Sequence, residues 1–255
     1  MVTALLLSGG TGTRMGVKTP KQYIEVNGKP IIAYCIQTLL SHEEISAVQI
    51  VADDMWRKLI LKCIDEFSAA EAGKETVDGA SSEICGMRSV EGCSKFRGFS
   101  SPGENRQLSI LNGLKDIGKY AADDDYVLIH DAARPLLCPG LITECLDAAV
   151  AHEGALPVLP MKDTVYFSED GGCITSLLER SRIFAGQAPE AFLFGKYVEA
   201  VRKLLPEKIY EINGSTEPAV MAGMDIAMIP GDERNFKITT MADLERFREI
   251  ALGVG

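Results

Sequence analysis

Residues 4–22 read ALLLSGGTGTRMGVKTPKQ. The apolar run Leu5–Leu7 has the look of a short buried strand, and it empties into a loop with three glycines, Gly9, Gly10 and Gly12. Arg14 and Lys21 follow at a distance that lets both point back into that loop. A strand ending in a glycine loop exposes consecutive backbone N–H groups with no side chain in the way, which makes a cradle for phosphates. The two cations supply the charge that such a ligand requires. The plainer alternative is a tight turn that uses glycine for positive φ.

Two look-alikes fail. A Walker A loop ends in Gly-Lys-Ser/Thr, whereas Gly12 is followed by Thr13 and Arg14. A dinucleotide fingerprint requires G-x-G-x-x-G, and counting from Gly10 puts Met15 at the third glycine. That fold would also want an acidic residue for the ribose. The basic pair Arg14 and Lys21 suits a triphosphate whose leaving pyrophosphate must be held in the transition state.

Outward from the loop, strand and helix alternate. Pro30 opens an amphipathic helix reaching about Leu40, with proline at a favoured first-turn position. Val48–Val51 reads as a strand, and Met55–Phe67 has helical periodicity. From about residue 69 to 102 the chain is rich in Gly, Ser, Glu and Lys without a sustained period, longer than most internal connections. Beyond it, Arg106–Ile117 and Leu141–His152 read as helices, Tyr126–Ile129 and Ala155–Val158 as strands. Thr164–Phe167 and Cys173–Leu178 flank the turn signal Glu169-Asp170-Gly171-Gly172 and predict a projecting β-hairpin within residues 161–186. A helix after Phe192, a strand at Ile226–Ile229 and a helix over Met241–Leu252 close the chain. The pattern predicts one α/β domain over residues 1–255, with a Rossmann-like, mostly parallel sheet wrapped by helices on both faces. The glycine loop then lies at the carboxyl edge of the sheet, where such folds bind ligands.

At 255 residues the chain can bury a full core. A formal charge of −10 argues against a nucleic-acid surface. It also makes any local gathering of cations more pointed. Seven cysteines at irregular spacing, without CxxC, do not form a disulfide framework. With no run of membrane-span length and no leader-like N-terminus, the expected setting is a reducing cytoplasm and no membrane partner.

The same residues carry a family resemblance. A Gly-rich loop closing in Arg14-Met15, then Pro20-Lys21-Gln22, is similar to the signature of the cytidylyltransferases that act on 2-C-methyl-D-erythritol 4-phosphate or ribitol 5-phosphate. Further matches are Arg106 with Ser109, the run His130-Asp131-Ala132-Ala133-Arg134-Pro135, Asp163-Thr164, Arg180, Gln187-Ala188-Pro189 and Asn235-Phe236-Lys237. The resemblance implies transfer of CMP from CTP to an alditol phosphate with release of pyrophosphate, and in the methylerythritol branch a role in isoprenoid biosynthesis. It implies that the hairpin is an arm embracing a second subunit, hence a homodimer. It also marks the segment around 69–102 as an insertion, with room for one short strand.

An incoming phosphate monoester is already anionic, so the chemistry needs charge neutralisation and alignment rather than a strong base. The resemblance then assigns Arg14, Lys21, Arg180 and Lys237 to catalysis. Ser8, Gly9, Gly10, Thr11, Gly12, Arg106 and Ser109 would hold the nucleotide. Arg134, Thr164, Thr216 and Glu217 would hold the acceptor. Asp131 would contact Mg²⁺ or another divalent cation, because a hard cation prefers carboxylate and phosphate oxygens. The plainer role for Asp131 is capping the turn that follows it. His130, at the end of an apolar run, is expected to be structural.

The chain also departs from the family. Gln-Thr-Pro-Gln is usual where Gln187-Ala188-Pro189-Glu190 stands, and Thr216-Glu217 replaces a Thr-Asp pair out of strict register. These changes fall on the acceptor half. They keep open a CTP-binding protein without transferase activity, and a cytidylyltransferase for another polyol or sugar phosphate.

Overall fold

The computed structural model describes residues 1–10, 19–75 and 94–253. Strand β1 (Val2–Leu7) is followed by the ribbon β2 (Glu25–Val26) and β3 (Lys29–Pro30), then helix α1 (Ile31–Ser41), strand β4 (Ala47–Val51) and helix α2 (Asp54–Glu75). Next come β5 (Phe96–Ser100), α3 (Arg106–Ile117), β6 (Tyr126–Asp131), α4 (Pro139–Ala151) and β7 (Gly154–Pro160). The hairpin β8 (Val165–Phe167) and β9 (Ser176–Leu178) leads to β10 (Phe184–Gly186), β11 (Glu190–Leu193) and α5 (Phe194–Arg202). The short helix α6 (Glu217–Met221), strand β12 (Ile226–Pro230) and helix α7 (Met241–Ala251) complete the order.

The main sheet has eight strands in the order β10-β7-β11-β6-β1-β4-β5, with β12 also pairing β7. β1 pairs in parallel with β4 on one side and β6 on the other. Strands buried on both faces need apolar residues throughout, and β1 reads VTALLL with its central residues fully buried. β4 is buried at all five positions. One face packs Ile32, Ile36 and Leu39 of α1, Ile60 and Ile64 of α2, and Ile142 and Leu146 of α4. The opposite face packs Ile110, Leu111, Leu114 and Ile117 of α3 against Tyr197 and Val201 of α5. Helices on both faces of a mostly parallel sheet agree with the pattern of the sequence.

Local chemistry explains the helix boundaries. Pro30 precedes α1, whose apolar residues recur on one face. The Asn105 side chain caps α3 by accepting from the Leu108 N–H at 2.8 Å. Thr240 and Asp243 close a capping box on α7.

The stretch read as an insertion is partly regular. Helix α2 runs on past Phe67 to Glu75, so residues 69–75 are helix rather than irregular chain. β5 occupies Phe96–Ser100 and pairs in parallel with β4, so it belongs to the main sheet. The remainder of the expected insertion, residues 76–93, lies outside the described residues. The sequence also did not reveal β10 and β11. Both run antiparallel, β10 against β7 and β11 between β6 and β7.

The predicted hairpin is present: β8 and β9 pair antiparallel as a separate two-stranded sheet. It leaves Tyr166, Phe167, Ile174 and Leu177 exposed.

Candidate active site

The chain leaves β1 for β4 on one side and later returns at β6 on the other. The crevice between the carboxyl ends of β1 and β6 is therefore a topological switch point, the usual binding position in an open α/β sheet. In the register of that pair Leu7 stands opposite Asp131. The glycine loop begins there. The Ser8 N–H donates to the Val51 carbonyl at 2.9 Å, and the Ala132 N–H to the Leu7 carbonyl at 3.0 Å.

The start of the loop is pinned from behind. The Gln22 amide donates to the carbonyls of Ser8 and Gly10, each at 2.7 Å. The Ser8 hydroxyl bonds the Tyr23 hydroxyl, so it anchors the loop from within the protein. Glycine is required at Gly9 by contact, since a Cβ there would lie 2.6 Å from the Pro102 Cβ. Lys21 opens the 3₁₀ turn Lys21–Tyr23, which begins after Pro20 and carries the Gln22 and Tyr23 anchors. Thr11, Gly12 and Arg14 lie outside the described residues.

Asp131 organises the edge. Its Oδ1 accepts from Arg106 Nη2 at 3.2 Å and its Oδ2 from Lys237 Nζ at 2.8 Å. Arg134 Nε lies 3.9 Å from Oδ2. Burial works against the charge of Asp131, but Arg106 and Lys237 outweigh it and hold the carboxyl well below the usual carboxylate range. Burial likewise disfavours the charged form of Arg106, yet Asp131 and Glu190 prevail and raise its pKa. Three cations thus converge on one aspartate, which leaves the edge ready for anionic ligands.

Each cation is aimed by its backbone. Arg106 is the first residue of α3, directly after the Asn105 cap. Arg134 follows β6 in a tight turn, and its Nη1 donates to the Asn235 carbonyl at 2.7 Å. The Asn235 amide holds the Ala188 carbonyl at 2.7 Å. The Arg134 Nε and the Asn235 Oδ1 are buried without a hydrogen-bond partner. His130 is structural, as expected. Its Nε2–H donates to the Arg134 carbonyl at 3.1 Å, and burial pushes the imidazole down to about 4, leaving it neutral.

The remaining expected site residues make local contacts of their own. The Ser109 hydroxyl donates to the Asn105 carbonyl and accepts from the Gly103 N–H, both at 2.9 Å, closing the turn before α3. The Glu217 carboxylate accepts from the N–H groups of Gly214 at 2.6 Å and Asn213 at 3.2 Å. It shapes the loop ahead of α6. Thr216 spends its hydroxyl proton on Glu190, donating to Oε2 at 2.7 Å. Thr164 and Arg180 are exposed at the two ends of the hairpin, and Arg180 Nη1 donates to the Lys162 carbonyl at 2.6 Å. Among the described residues no hydrogen bond or ion pair joins either one to the Asp131 cluster within this chain.

Neither Ser215 nor Asn235 was assigned a role from the sequence, although Asn235 lies in a matched run. Ser215 is fully buried and accepts from Arg106 Nη1 at 2.8 Å. Its only signal was its place in the Gly-Ser-Thr run before α6.

The donor set bears on a metal. Both oxygens of Asp131 already accept a cation, and among the described residues no group of three or more His, Cys, Asp or Glu could hold an ion. Among the described residues Asp131 is thus the carboxylate that a hard cation at this edge would have to draw on, and it would do so without a ready-made cage of protein ligands.

A doubly wound sheet with its charged cluster at the switch point defines an α/β protein suited to phosphorylated ligands. The chain belongs to the IspD family: the model described as 2-C-methyl-D-erythritol 4-phosphate cytidylyltransferase matches residues 2–89 and 99–251. A bifunctional IspD/IspF enzyme of Bradyrhizobium diazoefficiens is 31% identical over 242 residues, covering 95% of this chain and 54% of that protein. The chain thus spans about half the length of its bifunctional relatives. A ribitol-5-phosphate cytidylyltransferase of Streptococcus agalactiae is 28% identical, covering 98% of this chain and 95% of that one. The solved 4-diphosphocytidyl-2C-methyl-D-erythritol synthase of Anaerococcus prevotii superposes with a TM-score of 0.75 at 20% identity, covering 99% of this chain and 96% of that one. That likeness establishes the fold. No helix among the described residues is long and apolar enough to cross a membrane.

Proposed function

We propose that the protein transfers CMP from CTP to a polyol phosphate and releases pyrophosphate. The observation that carries this is the convergence of Arg106, Arg134 and Lys237 on Asp131 at the switch point, beside the start of the glycine loop. Membership of the IspD family supplies the reaction class.

The reaction joins two anions: an acceptor phosphate oxygen attacks the α-phosphorus of CTP, and the bond to the β-phosphate oxygen breaks. Charge neutralisation and alignment are what the chain must provide. The loop backbone from Gly9 onward, with Arg14 and Lys21, holds the triphosphate and takes up charge on the leaving pyrophosphate. Arg106 steadies the nucleotide. Lys237 and Arg134 hold the acceptor phosphate. Asp131 is the residue that would hold Mg²⁺, which when bound would supply positive charge to offset that of the phosphates.

The family's two named acceptors, 2-C-methyl-D-erythritol 4-phosphate and ribitol 5-phosphate, are the candidates here. The exposed apolar residues of the β8–β9 hairpin support a homodimer in which Thr164 and Arg180 reach the partner's acceptor site. Pyrophosphate release, measured with CTP and a panel of polyol phosphates, tests the function. Turnover with one of the two acceptors is expected. CTP binding with no turnover on any acceptor would leave a nucleotide-binding protein without transferase activity.

A further inference from the structure

The antiparallel course of β11 carries an acidic residue into the site. Because β11 runs opposite to β6, its first residue, Glu190, pairs with Ile129 near the carboxyl edge, two residues from Asp131. Glu190 is buried, and its Oε1 lies 3.9 Å from Arg106 Nη2. Its Oε2 accepts the Thr216 hydroxyl at 2.7 Å; burial raises the pKa of its carboxyl, while Arg106 and the neighbouring hydroxyls oppose that rise. Ser215 in turn accepts from Arg106 at 2.8 Å. A line of alternating charge therefore runs Lys237, Asp131, Arg106, Glu190, and ends on the hydroxyls of Ser215 and Thr216.

We propose that Glu190 is a positioning residue that couples the nucleotide side of the site to the acceptor side, holding Arg106 from one carboxylate oxygen and the Ser215–Thr216 turn by accepting from the Thr216 hydroxyl with the other. The proposal rests on the reading of Arg106 as a nucleotide ligand and Thr216 as an acceptor-side residue. The Thr216 hydroxyl spends its proton on Glu190, while the Ser215 hydroxyl oxygen beside it accepts from Arg106. A ligand that moves Thr216 loosens one anchor of Glu190, and Glu190 is one of the two carboxylates that flank Arg106. Residues wired into one network are coupled non-additively, whereas independent supports add.

The test is a double-mutant cycle read by CTP affinity, so it does not depend on turnover. Thr216→Val removes only the hydroxyl. It is expected to raise the Kd for CTP about three- to tenfold, although Thr216 belongs to the acceptor side. Glu190→Gln keeps the shape and removes the charge, and should raise Kd by about five- to twentyfold. In the Glu190→Gln background Thr216→Val should add less than about twofold. If Glu190→Gln does not fold, Ser215→Ala combined with Thr216→Val makes the same cycle, again with sub-additive losses. Unchanged CTP affinity in Thr216→Val, or fully additive effects, overturns the coupling. Losses confined to thermal stability would mark Glu190 as merely structural. A wild-type chain that binds no CTP removes the functional reading itself, and the coupling falls with it.

Discussion

At the scale of single residues the edge is governed by one aspartate and its three cations. Lys237 Nζ sits 2.8 Å from Asp131 and remains partly exposed, so it can meet a ligand while keeping its partner. Removing one preorganised cation from such a site costs about 10²- to 10³-fold in kcat. Lys237→Ala should therefore lose activity on that order while keeping its thermal midpoint within a few degrees. Near-normal kcat/KM in the folded variant would remove Lys237 from the reaction. Asp131 makes a separate claim about stability. Its folded pKa is depressed, so its contribution is present above the unfolded value of about 3.9 and lost as pH falls below it. Asp131→Asn should be less stable than wild type at pH 7, because it leaves Arg106, Lys237 and Arg134 facing one another. That difference should shrink steadily below about pH 4. Thermal midpoints of the two proteins between neutral and acid pH check this, and parallel curves across the range would contradict it.

At the scale of elements, the site depends on where helices and strands begin. Arg106 is aimed by the cap on α3, where Asn105 accepts from Leu108 N–H and donates to the Ile209 carbonyl at 3.0 Å. Asn105→Ala removes both bonds. Loss of the cap should cost about 1–2 kcal/mol of stability and also weaken CTP binding, because the next residue carries the guanidinium. Chemical denaturation and a CTP titration on the same variant separate the two effects; unaltered affinity would show that Arg106 does not need the cap. How much of this was legible follows from the same elements. β1, β4 and β6 could be read because a strand buried on both faces is a continuous apolar run. α1, α3, α4 and α7 could be read from their period and their proline or polar starts. β10 and β11 could not. Both are three or four residues long, Pro189 stands between them, and β11 opens on a glutamate. Asp131 was legible at the end of a predicted strand, whereas Arg106 opens a helix and Lys237 lies in a loop, so the cations around it were marked by the family resemblance. The position of Glu190 was not, because it is fixed by the antiparallel register of β11 on β6. Ser109 and Glu217 look the same in sequence whether or not they close a turn, and the turns they close are visible only in their hydrogen bonds.

At the scale of the whole molecule, the cluster and the hairpin are separate. Arg180 and Thr164 are exposed at the ends of the hairpin, and Arg180 donates to the Lys162 carbonyl instead of joining the Asp131 cluster. The hairpin holds its own shape: the Asp170 carboxylate accepts from the N–H groups of Gly172 at 2.8 Å and Cys173 at 2.9 Å. It presents Tyr166, Phe167, Ile174 and Leu177 to the outside. In the proposed homodimer these residues pack on the partner, and Arg180 serves the partner's site. Arg180→Ala then damages only the arm, and Lys21→Ala only the glycine-loop side of its own chain. Each variant alone should be nearly inactive. In a two-fold dimer made from one chain of each, both defects meet in one site and the other site is wild type throughout. Mixing the two variants under exchange conditions should therefore restore activity to about half of normal per mixed dimer. Differently tagged chains, purified in tandem, would isolate the mixed species for assay. Mixed dimers that form and stay inactive would place Arg180 in its own chain's site or outside catalysis. A monomer in sedimentation would end the arm reading before any assay.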